Sequence, residues 1–569
     1  MYEDSENAGV TSVEETLVPG PERPYRRLHV GPGEPQTPRY DLMQDGADSR
    51  EPQRKSAGLE SETDISQWNA ESHVAGLIHF TDFQIADLAS PSRVEYLQRL
   101  AGEPEWERML PAYRPQEFLL AQAIEVTVRS VNAFAASSPE RWNLALTTGD
   151  NTDSAQSNEL TAFLTYMEGG RVEPAAGTRD FADAPVGLGD EHYYNPETAS
   201  HDVWKIHHGL PTHPGALAAA ARPFDGEGLG LPWLSCFGNH DCLVQGRAAA
   251  PSDYDTFLTG ASKPVAISVD AAPPGDKLSA YVSDPIWAGE GTKHQIDADS
   301  ERRMVTKSEY VKRHLAAPGM PVGHGFTEDN SNGGTAYFVY DGLPNLRIIV
   351  LDTTNLAGHV DGCVDAQQFE WLEQRLIEVH SHFVSDNGST VRGGGDDRVV
   401  VISSHHGLST MTNNYGEFLA EESGQGRTLH LAADVEALLH RFGNVALWLS
   451  GHTHINRITP RPGSLGGFWE ISTGSIAEWP VQFRGIEILA EEKNLHLRTT
   501  MVDLQAPAAP DGSLDLRDLA SLHREIGAND AGSVGGLNAE GARCDRNQDL
   551  IVPVSSELLA ALSAMNRNE

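Results

Sequence analysis

Cysteine, long apolar runs and basic residues are all scarce in this chain of 569 residues. Its four cysteines are too few for a disulfide framework, and none has the paired spacing of a structural zinc site. We therefore expect reduced thiols that do not hold the fold together. They are Cys236, Cys242, Cys363 and Cys544.

No apolar run approaches the roughly 18–20 residues that a bilayer-spanning helix needs. The first residues, "MYEDSENAGVTSVEETLVPG", contain no apolar segment of the kind found in secretory signals. The pair Arg26-Arg27 is followed by "LHVGPGEP" rather than by an apolar run. The sequence as written therefore predicts a cytoplasmic protein without a membrane span, and export stays open if the true start lies upstream.

Acidic residues outnumber basic ones by 81 to 42, which gives a formal net charge of −39. Such a surface repels phosphates of nucleic acids, so binding of DNA or RNA through a basic surface is not expected. An anionic substrate would need a local positive centre, which a bound metal supplies. Solvation of the surface is the plainer explanation of the acidity.

Six short apolar runs end abruptly in polar turns. Runs of this kind are typical of strands buried on both faces of a sheet. Between them, "PQEFLLAQAIEVTVRSVNAF" and "DAQQFEWLEQRLIEVH" have helical periodicity, the second beginning with a capping Asp365. This alternation predicts an α/β fold with its site at the carboxyl ends of the strands. The runs are "AGLIHF", "WNLALTT", "LPWLSCF", "LRIIVL", "RVVVISS" and "NVALWLS".

The domain organisation follows from composition. Residues 1–70 are polar and predict an N-terminal extension, and 71–505 would form the main domain. Two long segments, at about 155–230 and 243–335, interrupt the main domain as insertions. From about 465 the pattern changes to alternating strands, and 506–569 predicts a tail with short helices.

Five polar clusters follow the strand ends. Each alone is a weak signal, because a lone Asp or His at a strand end is usually structural. Together they supply carboxylate, amide and imidazole groups, which suit divalent metals, and a parallel sheet would gather them in one crevice. The clusters are Asp82-Phe-Gln84, Gly149-Asp150-Asn-Thr-Asp153, Gly238-Asn239-His240-Asp241, His405-His406 and Gly451-His452-Thr-His454.

In type and order these clusters resemble the motifs of the calcineurin-like metallophosphoesterases, D-x-H, GD-x-x-D, GNH-D/E, H and GH-x-H. Phrases such as "TDFQIADLASPSRVEYL", "GHGFTEDN" and "LHREIGAND" are similar to a bacterial subfamily with long insertions, often exported by a twin-arginine signal. The resemblance covers roughly residues 20–555. It implies a four-layer α/β/β/α sandwich of two mixed sheets, and hydrolysis of small phosphate esters, either monoesters or diesters.

The resemblance also implies a centre of two divalent metal ions, Mn, Fe or Zn, with Asp150 bridging them. A hydroxide between the metals would attack phosphorus, and His240 would protonate the leaving oxygen or stabilise the transition state. His406 is the alternative ligand within its pair. The first site would comprise Asp82, Gln84 and His454, and the second Asn239, His405 and His452.

Three further residues receive predicted roles around this centre. Asp241 would orient the ring of His240. Arg93 and His324 are candidates for contacting a substrate phosphate, with a structural role as the alternative for each.

Gln84 departs from the family pattern, which has His at this position. Its amide oxygen can coordinate a metal but is uncharged and a poorer donor than imidazole. We expect a first site that binds metal more weakly, or that prefers Mn²⁺ or Mg²⁺ over Zn²⁺. The alternative is a catalytically silent protein that binds metal or a phosphate ligand. The presence of the other ligands and of His240 favours catalysis.

Overall fold

The computed structural model describes residues 11–41, 72–175, 181–199, 202–415 and 428–565, apart from positions 23, 269, 271 and 492. The strands are β1 Glu15–Pro19, β2 Leu28–Pro32, β3 Thr37–Asp41, β4 His73–Phe80, β5 Leu144–Thr147, β6 Gly170–Val172, β7 Phe224–Gly226, β8 Trp233–Leu234, β9 Ser262–Ile267, β10 Gly291–Gln295, β11 Phe338–Leu343, β12 Leu346–Leu351, β13 Val364–Asp365, β14 His382–Val384, β15 Thr390–Arg392, β16 Val399–Ser404, β17 Leu429–His430, β18 Val445–Ser450, β19 Arg457–Gly463, β20 Gly466–Ser472, β21 Gln482–Glu491, β22 Asn494–Asp503 and β23 Gln548–Pro553.

Helices connect and cover these strands. Short 3-10 turns, such as Glu117–Leu119 ahead of the first helix, join many of the elements. The α-helices are α1 Leu120–Ser137, α2 Ser157–Glu168, α3 Val203–His208, α4 Ala216–Ala220, α5 Tyr254–Leu258, α6 Lys277–Ser283, α7 Lys307–Ala316, α8 Glu328–Gly333, α9 Ala366–Ile377, α10 Ala432–Leu439, α11 Leu516–Ala528 and α12 Ser556–Met565.

Two large mixed sheets organise the fold. The six-stranded sheet has the order β11-β12-β16-β18-β20-β19, in which β12, β16, β18 and β20 are parallel and both edge strands are antiparallel to their neighbours. The seven-stranded sheet has the order β3-β23-β22-β21-β4-β5-β8, with β4, β5 and β8 parallel. The predicted α/β class is confirmed.

The six predicted apolar runs lie on β4, β5, β8, β12, β16 and β18, although β8 is only two residues long. Their side chains are buried because neighbouring layers cover them. Leu77 of one large sheet and Leu447 of the other belong to a single hydrophobic cluster. Trp469 Nε1 donates a hydrogen bond of 3.0 Å to the Ile551 carbonyl and so links β20 to β23.

Helices pack on the large sheets through apolar side chains. The rings of Phe134 on α1 and Phe483 on β21 lie 5.6 Å apart. Leu372 of α9 and Val435 of α10 share a cluster with Trp448 of β18. At the start of α9, the predicted cap is present, since Asp365 accepts a 2.9 Å hydrogen bond from the backbone of Gln368.

Both ends of the described chain contribute to the seven-stranded sheet. Strand β3, from the predicted extension, pairs with β23 from the predicted tail. The boundaries at 70 and 505 stay predictions, and residues 42–71 lie outside the described residues. Among the described residues, none of the helices combines the length and the apolar character that crossing a bilayer requires.

Candidate active site

Three of the five clusters follow neighbouring strands of the seven-stranded sheet. Asp82 comes after β4, Asp150 after β5 and Asn239 after β8. The register pairs Ile78 with Ala145, and Ala145 with Trp233, so the three parallel strands end at the same edge. Because the carboxyl ends of parallel strands lie at the same edge of a sheet, the three residues meet there.

The other two clusters come from the six-stranded sheet, whereas the sequence suggested that one parallel sheet would gather all five. His405 follows β16 and His452 follows β18, which are parallel neighbours. The two sheets meet at this point, because His405 Nε2 lies 3.2 Å from Asp150 Oδ2 and the backbone N–H of His452 donates to Asp82 Oδ2 at 3.1 Å. The crevice thus lies between the carboxyl ends of two packed sheets.

The backbone is strained where the predicted ligands stand. Five of them have positive φ, between 42° and 65°, a region that side-chain-bearing residues seldom adopt. They are Asp82, Gln84, Asp150, His452 and His454. Two motif glycines make room for the carboxylates: a Cβ on Gly238 would lie 2.2 Å from Asp150 Oδ1, and one on Gly451 would lie 2.3 Å from Asp82 Oδ2.

The residues of the predicted second site fit a metal ion. Asn239 Nδ2 donates to the Gly246 carbonyl at 2.9 Å, which leaves Oδ1 buried and without a hydrogen-bond partner. An orphaned buried acceptor is costly unless something satisfies it, and a cation would. His405 Nδ1 bonds to the Thr148 carbonyl at 2.8 Å, so its Nε2 is the nitrogen that faces the crevice. Ligand atoms of Asp82, Asp150 and His405 all lie within 4.8 Å of one another.

His406 has no ring nitrogen left for a metal. Its Nδ1 bonds to Thr353 Oγ1 and its Nε2 to the Val360 carbonyl, each at 2.8 Å. Although His405, His406 and His452 lie close enough to form a metal-binding group, these bonds favour His405 as the ligand of its pair.

The residues of the predicted first site are tied to one another and to a cation of the chain. His454 Nε2 lies 3.2 Å from Asp82 Oδ1, and its Nδ1 lies 3.2 Å from Glu478. Gln84 Nε2 donates to Asp150 Oδ2 at 3.4 Å, whereas its Oε1 accepts a hydrogen bond from Arg114. Arg114 and Glu478 carried no motif in the sequence and were missed.

The pKa values of the crevice residues indicate that its buried carboxylates stabilise nearby positive charge. Burial alone would raise the pKa of Asp150, but His405 and His240 outweigh it and hold that pKa well below its usual range. Burial lowers the pKa of His405, yet Asp150 raises it to about 9 overall. For His454 burial is likewise outweighed, by Glu478 and Asp82, and the pKa rises to about 10. Divalent cations would supply the same positive charge.

His240 reaches the edge of the crevice. Its Nδ1 donates to the Asp153 carbonyl at 2.6 Å, which leaves Nε2 directed toward Asp150 Oδ2, 4.0 Å away. The side chain is 17% exposed, so a ligand entering from solvent can touch it. Gly246 leaves room for the ring, since a Cβ there would lie 2.4 Å from His240 Nε2.

The ring-orienting role predicted for Asp241 was wrong. Its carboxylate accepts backbone N–H groups of Asn151, Thr152 and Gly238, at 3.1, 2.9 and 2.9 Å. Asp241 therefore joins the loop after β5 to the loop after β8. The Asp153 carbonyl orients His240 instead.

The substrate roles predicted for Arg93 and His324 are contradicted by their surroundings. The Arg93 side chain is 3% exposed, and its guanidinium forms ion pairs with Glu95, Glu117 and Asp153. His324 is fully buried, stacked on Trp233 at 3.7 Å, and its Nε2 lies 3.2 Å from Glu168. Both residues hold the scaffold together.

No family model matches the chain, and no curated protein sequence does. Solved structures do align with it. A dimetal phosphatase from Danio rerio aligns with 11% identity over 76% of this chain and 100% of its own, with a TM-score of 0.33. The sulfate thiohydrolase SoxB of Thermus thermophilus aligns with 13% identity over 76% of this chain and 57% of its own, with a TM-score of 0.25.

A 5'-nucleotidase from Candida albicans aligns with 10% identity over 73% of this chain and 48% of its own, with a TM-score of 0.25. Alignments this loose carry no weight of their own. The five motifs stand in order in the sequence, and the ligand groups of Asp82, Asp150 and His405 meet at one crevice between two sheets. In these two respects the chain resembles the calcineurin-like metallophosphoesterases.

Proposed function

We propose that this protein is a metal-dependent hydrolase of phosphate esters, monoesters or diesters, built as a four-layer α/β/β/α sandwich. The observation that carries the proposal is the group formed by Asp82, Asp150 and His405, with the buried, unpartnered Oδ1 of Asn239. These four donors come from four motifs that are far apart in the sequence, and their convergence is what a metal centre requires.

Two divalent ions, of Mn, Fe or Zn, would share the Asp150 carboxylate. The second would be held by Asn239, His405 and His452, and the first by Asp82, Gln84 and His454. Bound there, the cations would supply positive charge for a phosphate ester and lower the pKa of a water molecule. A shared carboxylate is needed because it offsets the repulsion between two dications.

His240 would donate a proton to the leaving group. The Nδ1–H of His240 donates its hydrogen bond to the Asp153 carbonyl, so Nε2, on the crevice side, is the ring nitrogen from which a proton would be transferred. From there it can be donated to the departing oxygen as the ester bond breaks. The insertions at 155–230 and 243–335 would roof the crevice and set substrate specificity.

A screen with p-nitrophenyl phosphate and bis(p-nitrophenyl) phosphate in added Mn²⁺ tests the proposal. We expect hydrolysis of at least one of the two, its loss on treatment with a chelator and its recovery when Mn²⁺ is returned. A chain that binds Mn²⁺ tightly but hydrolyses neither ester would instead be the silent metal-binding or ligand-binding protein. The contact between Gln84 and Arg114 is the feature that favours this second candidate.

Replacing Gln84 with His is expected to strengthen metal binding at the first site by about tenfold or more, because imidazole is the better donor. Calorimetric titration with Zn²⁺ would measure the change. Gln367, exposed on α9, provides the matched control, and Gln367→His should leave metal affinity unaltered. An affinity that is unaltered in Gln84→His and also in Gln84→His combined with Arg114→Met would refute the assignment of Gln84 as a ligand.

A further inference from the structure

We propose that Arg114 is a positioning residue that makes the two metal sites unequal, so that the second site fills before the first. The inference rests on the proposed dinuclear function. Arg114 lies outside the five motifs.

Arg114 is placed to act on two first-site residues together. One arm of its guanidinium donates to Gln84 Oε1, and its Nε donates to Glu478 Oε1 at 2.8 Å. A third contact, 3.5 Å from Nη1 to Glu117 Oε1, anchors it at the turn that precedes α1. The side chain is 19% exposed, so the guanidinium is held largely away from water.

The contact with Gln84 opposes metal binding. Oε1 is the atom of this side chain that can coordinate a cation, and Arg114 already uses it as an acceptor. A dication bound to the same oxygen would lie next to a guanidinium, and like charges in a partly buried site repel strongly.

The contact with Glu478 acts in the same direction. Glu478 lies 3.2 Å from Nδ1 of His454. A carboxylate in that position raises the basicity of a ligating imidazole, and an arginine on the same carboxylate reduces the effect. Arg114 thus weakens two of the first-site ligands.

The second-site ligands are held by backbone carbonyls and a carboxylate, and not by a positively charged side chain such as Arg114. Backbone carbonyls of Gly246 and Thr148 orient Asn239 and His405. His452 Nε2 lies 3.7 Å from a carboxylate oxygen of Asp361. Carbonyls and carboxylates favour a nearby cation, so this site should bind metal more tightly.

The same geometry accounts for glutamine at position 84. Its amide accepts from Arg114 through Oε1 while donating through Nε2 to Asp150 Oδ2. An imidazole that coordinated through one nitrogen would carry its proton on the other and could not accept from a guanidinium. Gln84 and Arg114 therefore form a matched pair.

Calorimetric titration of the metal-free full chain with Mn²⁺ tests the inference without reference to turnover. We expect two classes of site that differ by about tenfold or more, and Arg114→Met should tighten the weaker class by about tenfold while the tighter class changes less than about twofold. His454→Ala should abolish the weaker class. Arg347, which also pairs with two carboxylates, those of Asp341 and Glu378, gives the matched control Arg347→Met, expected to change neither class.

Two classes of equal affinity in the parent chain, or an unchanged weaker class in Arg114→Met, would overturn the inference. Absence of any Mn²⁺ binding in the parent would overturn the proposed function itself, so the two failures are distinguishable. Circular dichroism would show whether Arg114→Met folds. If it does not, Arg114→Gln removes the same charge and is subject to the same criteria.

Discussion

Replacing His240 with Ala is expected to lower kcat for an alkyl phosphate ester by about 10²–10⁴-fold, the usual contribution of a general acid, without changing metal content. The reason is geometric: Nε2 is the ring nitrogen left free, and it lies at the crevice edge, 4.0 Å from Asp150 Oδ2. Steady-state kinetics together with elemental analysis of the purified variant would measure both quantities.

Leaving-group dependence separates a proton donor from a structural role for His240. p-Nitrophenolate departs without needing a proton, so the loss in His240→Ala should be much smaller for p-nitrophenyl phosphate than for the alkyl ester. His382, which is exposed at the start of β14, gives the control His382→Ala, expected to behave as the parent. Equal losses on both esters would argue against proton donation.

Asp150→Asn is expected to abolish activity and to remove metal from both sites. The substitution keeps the shape of the side chain but removes the charge that the proposal places between two dications, and the loss in kcat/KM should reach about 10⁴-fold or more. Asp150 also contacts residues of both predicted metal sites, with His405 Nε2 at 3.2 Å and with Gln84 Nε2, which donates to Asp150 Oδ2 at 3.4 Å.

Metal stoichiometry is the decisive measurement for Asp150→Asn. The control Asp225→Asn removes one negative charge from a side chain that is 87% exposed, and it should retain full occupancy and activity. If Asp150→Asn is folded and still binds two equivalents of Mn²⁺, Asp150 does not bridge the metals.

Two arginines near the crevice differ in the side chains that they contact. Arg93 and Arg114 are both flanked by acidic side chains, and both contact Glu117. Arg93 is enclosed by three carboxylates, whereas Arg114 also donates to Gln84 in the crevice. The sequence offered Arg93 as a candidate for substrate contact with a structural role as its alternative, whereas the structure brings Arg114 into contact with the predicted ligand Gln84.

The sequence by itself determined most of the framework. Strands buried on both faces must be apolar throughout, so runs such as "LRIIVL" and "RVVVISS" were recognisable and lie on β12 and β16. The first N–H groups of a helix need an acceptor, and Asp365, which supplies one, marked the start of α9 in the sequence. Carboxylates, amides and imidazoles suit divalent metals, and parallel strands gather side chains at their carboxyl ends, so the candidate centre was also visible in the sequence.

Only the tertiary structure decided which side chains meet across large separations. Glu478 reaches Arg114 over 364 positions, and Arg114 reaches Gln84 over 30, so neither contact has a local pattern. The same limit explains the errors over Asp241 and His324, whose partners are set by burial and by neighbouring loops. The local sequence pattern identifies the strands, the helices and the candidate ligands. The packing of the two sheets determines which other side chains contact those ligands.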